Sequence, residues 1–202
     1  MAPDQNVAAS LEPLDIKCTS SDCENGLHCF RATRRLVREN LAGQCRYCGA
    51  SLVDWTRVQG RNIADVEYTF SSLRLEMIRH HFWHVDIDQR AINYAVRRGR
   101  LRLREAVETR VTKHLGPSNP PFDGRQTPLA GSGNPVTYAQ HGVAACCRKC
   151  VEYWHGIPRG RALSDAEIRY LSSLVMLFLE ERLPEIEDEG RAAPRVPRAS
   201  PD

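Results

Sequence analysis

The sequence predicts a mainly α-helical fold with short β elements: a small metal-stabilised α+β protein in which zinc-knuckle loops stand in for part of the core. Three observations predict it. Apolar residues recur at three- and four-residue spacing in several stretches, the period of a helix with one buried face. The eight cysteines fall into two groups, residues 18–48 and 146–150, instead of being scattered singly as core cysteines are. A stretch rich in proline and glycine, 116–135, lies between those groups and excludes regular structure within itself.

In chain order, residues 1–17 have little to bury and are expected to be disordered. A cysteine-rich module with helices spans 18–115. It opens on the loop "CTSSDCENGLHC", continues into a basic helix, "FRATRRLVREN" (30–40), and turns tightly at "CRYCGASLVDW" into a short strand. From Ile63 to about His84 a single helix is expected, with Val66, Phe70, Leu73, Met77, His80 and His84 on one face. Asp88 can cap "QRAINYAVRR", Gly99 breaks it, and "LRLREAVETRVTKHL" then carries Leu103, Val107 and Val111 on one stripe.

The second unit, 116–183, holds "CCRKC", "WHGIPRGR" and the best-marked helix of the chain. There Ser164 and Glu167 form an S-x-x-E capping box ahead of Ile168, Leu171, Val175, Phe178 and Leu179, and Pro184 ends the run. Helices 63–84 and 165–182 each have an apolar face too wide for a small isolated module to cover, so they are expected to pack together. Residues 184–202 mix proline, charge and small side chains and read as a disordered tail.

The longest apolar run, "LVMLFL" (174–179), falls far short of the roughly 20 residues a membrane span needs. The N-terminus shows no basic segment followed by an apolar one, so the chain is expected to be cytoplasmic. In a reducing compartment clustered cysteines are metal ligands or catalytic thiols before they are disulfides. The net charge of +3 is small but uneven: arginines concentrate in residues 31–113, which suits an anionic partner.

"CRYCG" (45–49) is the most specific local signal. Two cysteines two apart and a following glycine make a knuckle in which both sulfurs face one ion. Cys18, Cys23, His28 and Cys29 are the upstream candidates to complete the shell. The favoured set is Cys23, Cys45 and Cys48, with the fourth ligand open between Cys18 and Cys29. Zn²⁺ suits mixed cysteine and histidine ligands without redox chemistry, and an iron–sulfur cluster is the alternative. His80 and His84, four apart on a helix, could pair on a metal; their place on an apolar stripe is explained as well by core packing, which is also the role expected of Trp83.

In "HGVAACCRKCVEYWH" (141–155), Cys147 and Cys150 have knuckle spacing, and His141 and His155 flank them, so a His-Cys-Cys-His zinc site is chemically reasonable. A redox-active pair or buried structural thiols are the alternatives. The surrounding segment, 123–171, resembles a small uncharacterised bacterial and phage domain family, a domain of unknown function. The matching positions are Gln126-Thr127-Pro128, Gln140-His141, Cys146-Cys147-Arg148, Cys150, and Trp154 through Arg161. The resemblance implies that Gln140, His141 and the "WHGIPRGR" run act together; it implies no activity.

These readings combine into a zinc-binding protein with one or two Zn²⁺ ions and a nucleic acid, or a protein that processes one, as partner. Arg34, Arg35 and Arg38 on the basic helix, with Arg159 and Arg161 on the glycine-proline turn, are the candidate phosphate contacts. Two alternatives stand beside it. One is a metal-dependent hydrolase using the His141, Cys147, Cys150 and His155 region; the other is a structural zinc adaptor. No catalytic residue is assigned.

Overall fold

The computed structural model describes residues 16–121, 123–124, 133–194 and 196. The expectations for residues 1–15, the Gln126-Thr127-Pro128 motif and the last residues of the tail lie outside them. Eight α-helices are described: α1 Arg34–Arg38, α2 Trp55–Gln59, α3 Val66–Leu73, α4 Met77–His84, α5 Gln89–Leu115, α6 Pro135–Gly142, α7 Arg148–His155 and α8 Asp165–Arg182. The mainly helical reading holds. Short strands do not appear among the described residues; β pairing is confined to two isolated bridges, Asp22–Leu27 and His28–Glu76.

Helix α8 is the centre of the fold. Its capping box forms as the sequence predicts, with the Glu167 amide donating to Ser164 Oγ and the Ser164 amide to the Glu167 carboxylate. Ile168, Tyr170, Leu171, Leu174, Val175, Met176, Phe178 and Leu179 are all buried, which leaves α8 only a narrow wet edge. Helices α3, α5 and α6 pack around it, α4 lies on α6, and α2 joins α3 to α7. One continuous apolar core therefore includes residues from both cysteine-bearing segments. Between them sits an aromatic cluster: Trp154 of α7 lies 5.0 Å from the Trp55 ring and 5.9 Å, edge-on, from Phe30.

The helix expected over 63–84 is broken. A one-turn 3-10 helix at Ile63–Asp65 leads into α3, and Arg74 to Glu76 leave the helical path before α4 begins. The cause is a competing partner for the backbone: the His28 amide donates to Leu75 O at 2.7 Å and the Met77 amide to His28 O at 2.9 Å. Buried polar backbone must be paired, and here the cysteine loop supplies the pairing that the helix would have made. The break also turns the buried face of α4 to Ile78, Arg79, Phe82 and Trp83, away from Met77, His80 and His84.

Two other expectations have outcomes in α5. Asp88 caps it, accepting from the Ala91 amide, and Gly99 interrupts it at φ 68° and ψ 171°. That interruption frees backbone groups which the C-terminal segment takes up. Arg100 N donates to Glu187 O, Leu101 N to Asp188 O, and Arg191 N to Val96 O. Ile186 is buried and Asn93 donates to Pro194 O. Residues 184–194, expected to be disordered, thus run along α5, because a broken helix gives an otherwise polar segment hydrogen bonds to make.

Candidate metal centres

The N-terminal loops bring Cys23, His28, Cys45 and Cys48 together, with one ligand atom from each mutually within 4.8 Å. Local chain chemistry arranges this. Cys23 begins a 3-10 turn closed by Gly26 at φ 74°, and the Asp22–Leu27 bridge folds the loop back so that His28 follows at once. On the other side the knuckle closes through the Gly49 amide on Cys45 O at 2.9 Å, with Gly49 itself at φ 77°, a conformation that suits glycine. The Arg46 amide, on Cys29 O at 2.9 Å, ties the two loops to each other.

In this cluster Cys23 Sγ is 3.7 Å from Cys45 Sγ, and Cys48 Sγ is 3.4 Å from His28 Nδ1. Burial works to raise the Cys45 thiol, but amide hydrogen bonds from Cys48, Cys29 and Tyr47 outweigh it and bring the pKa down to about 6. Cys23 goes the other way, pushed up to about 11 by burial and by its thiol neighbours. A lowered thiol beside a raised one is what several thiols sharing a single position produce, since only one can ionise easily without a cation.

The fourth member of this group is His28, and neither Cys18 nor Cys29 belongs to it. Cys29 is fully buried and donates to Cys18 O at 3.7 Å; Cys18 is exposed. His28 is also anchored through its backbone, which bridges to Glu76.

The second group is Cys146, Cys147 and Cys150, again within 4.8 Å of one another. Cys147 is the N-cap of α7 and Cys150 lies on its first turn. His141 and His155 are not part of the group. His141 Nδ1 donates to Thr137 O at 2.9 Å. His155 is wholly buried, its Nε2 donates to Val143 O at 3.0 Å, and its Nδ1 faces the Tyr170 hydroxyl at 3.5 Å. Burial holds His155 neutral, with a pKa of about 4. His80 and His84 stack on each other and belong to neither group; His84 Nδ1 donates to His80 O.

Two residues unassigned in the sequence prove central here. Arg79 is buried to 2% exposure and reaches Cys150 Sγ at 3.3 Å, Cys146 Sγ at 4.0 Å and His141 O at 2.6 Å. Glu76 is fully buried. It accepts from Arg79 Nε at 3.0 Å, Trp154 Nε1 at 2.6 Å and the Tyr153 hydroxyl at 2.8 Å. Hydrogen bonds from Cys146 and Cys147, reinforced by the Arg79 charge, hold Cys150 well below the usual thiol range. A signal for this pair exists in the sequence: Arg79 precedes Phe82 and Trp83 by three and four residues, which places a cation on a buried face, and Glu76 stands three before it.

The motif arginines have mostly internal partners. Arg148 is buried and donates to Leu115 O and Pro158 O, stapling the end of α5 to the turn after α7. Arg159 pairs with Glu152 at 2.8 Å, and Arg161 holds Glu167 through two nitrogens at 2.8 and 2.6 Å. Gln140 accepts from Arg110 and donates to Ala145 O, fixing the backbone ahead of the thiols. Arg34, Arg35 and Arg38 are exposed on α1, Arg35 in an ion pair with Glu39.

A family model described as a domain of unknown function (DUF4186) matches residues 67–180. The chain belongs to this family. The DUF4186 match is wider than the segment whose motifs carry the resemblance, taking in α3, α4 and α5 as well. It therefore contains Glu76, Arg79 and the second thiol group, while the first cluster lies N-terminal to it. No solved structure matches the chain.

Proposed function

We propose that this chain is a zinc-binding protein in which Cys23, His28, Cys45 and Cys48 hold one Zn²⁺ as a structural centre. The observation that carries this reading is the pair of spacings, 3.7 Å between sulfurs and 3.4 Å between sulfur and imidazole nitrogen. With Zn–S near 2.3 Å and Zn–N near 2.0–2.1 Å, the edges of a tetrahedral shell come to about 3.8 and 3.6 Å. Four protein ligands close the shell, so the ion acts on folding and leaves no position for a substrate. It would fix the loop that breaks the helix at Glu76, and so support the family domain from outside.

Elemental analysis of the full chain purified without chelator tests this. At least one equivalent of zinc is expected, and less than half an equivalent refutes it. His28→Ala should lower the content by one equivalent, whereas Cys29→Ala should leave it unchanged.

A nucleic acid, or a protein that processes one, is the partner class we infer, through the exposed Arg34, Arg35 and Arg38 of α1. Arg159 and Arg161 add less, because each is already engaged by a carboxylate. Electrophoretic shift across a salt series is the test: phosphate contacts make affinity fall steeply as salt rises, and no shift at low salt refutes it. The hydrolase reading loses its imidazole ligands, since His141 and His155 stand apart from the thiol group.

A further inference from the structure

A cavity of about 420 Å³ opens beside the second thiol group. Cys147 and Cys150 form part of its wall, so an ion among the three sulfurs would sit at its floor. The rest of the described wall carries Arg31, Arg79, Lys149 and Arg159 with Asp123, and two of these cations are paired, Arg79 with Glu76 and Arg159 with Glu152.

We propose that Cys146, Cys147 and Cys150 hold a second, mononuclear metal ion whose fourth position opens into this cavity and takes a small phosphate-type oxyanion. Three arguments converge. Three sulfurs so close together suit one ion; in a four-iron cluster each thiolate binds a different iron, and the sulfurs must stand wider apart. Three protein ligands and an accessible fourth position are the pattern of a metal that binds a ligand, in contrast to the closed shell around Cys45.

Charge supplies the third argument. Three thiolates on a divalent ion leave one negative charge, and Arg79, which bridges Glu76 and Cys150 Sγ at 3.3 Å, would donate to that thiolate from the outer shell. Its own position is held by Glu76, whose carboxylate is in turn fixed by Tyr153 and Trp154. Arg159 is already paired with Glu152, so Arg31 and Lys149 are the cations left to meet an anion that enters the cavity. Cys18 also lines the cavity but is not in the group of three.

The test uses full-length chain loaded with Co²⁺, whose visible bands report the ligand set, and inorganic phosphate as the probe. Wild type is expected to bind two equivalents. Cys147→Ser and Cys150→Ser should each lose one while keeping the first-centre bands, and Cys147→His should recover it. Phosphate should shift those bands of wild type that Cys147→Ser lacks. Equal metal content in wild type and the serine variants overturns the proposal. So do bands that ignore phosphate and change in Cys18→Ser, which would mean that Cys18 closes the shell. One equivalent in wild type and none in Cys147→Ser would instead remove the first centre and leave this one standing.

Discussion

Replacing Glu76 with alanine should be among the most damaging single changes in the molecule. The side chain has no exposed surface, and its loss strands three donors: Arg79 Nε, Trp154 Nε1 and the Tyr153 hydroxyl. Removing one partner of a buried ion pair costs about 3–5 kcal/mol, because the other charge stays buried without compensation. Each neutral donor left unpaired adds about 1–3 kcal/mol when isolated, but the three share one space that water can enter, so the terms do not sum. A loss of about 5 kcal/mol follows, against a total stability of about 5–15 kcal/mol for a typical domain.

Urea unfolding of the full chain, followed by circular dichroism, reads this directly. With a slope of about 2 kcal/mol per molar, the midpoint should fall by about 2.5 M. Glu76→Gln keeps an acceptor for Trp154 while removing the charge, and should lose roughly half as much. A midpoint shift below about 0.5 M for Glu76→Ala would refute the reasoning, since it would mean that Arg79 finds another anion or is hydrated in place.

Two further outcomes test the core. His155 has a folded pKa of about 4 against an ordinary value of 6.5, so its contribution is fully present above pH 6.5 and is lost as pH falls toward 4. The loss is about 3 kcal/mol, and His155→Gln should flatten that part of the pH–stability curve; parallel curves for the two proteins would refute it. Gly99→Ala puts a Cβ 2.4 Å from the Glu189 carbonyl carbon at a φ of 68°. It should free residues 184–194 from α5, seen as new protease cleavage there and a stability loss of about 2–3 kcal/mol; an unchanged digest would refute it.

Elements set by local chemistry were legible from the residues alone. The capping box at Ser164, the Asp88 cap, the Gly99 interruption and the knuckle at "CRYCG" depend on neighbours within a few positions, and the sequence states those neighbours. The existence of two cysteine groups was equally plain, because spacing and clustering survive whatever the fold does. Trp83, expected to pack, does so against Phe70 and Phe178.

Tertiary structure decided the rest, and the physical reason is the same each time. A buried polar group takes the best partner available in space, and that partner can lie anywhere in the chain. The backbone of His28 captured Leu75 and Met77, which broke a helix that periodicity had drawn as continuous, and His28, in preference to Cys18 or Cys29, joined the group that could hold a metal ion. His155 is bonded to Val143 O and faces Tyr170, and neither it nor His141 falls in the thiol group beside which sequence placed them. Arg79 and Glu76, unremarkable as letters, became the charged centre of the site because the broken helix turned them inward. Residues dictated which chemistry the chain carries; only the closing of long-range hydrogen bonds determined which atoms meet.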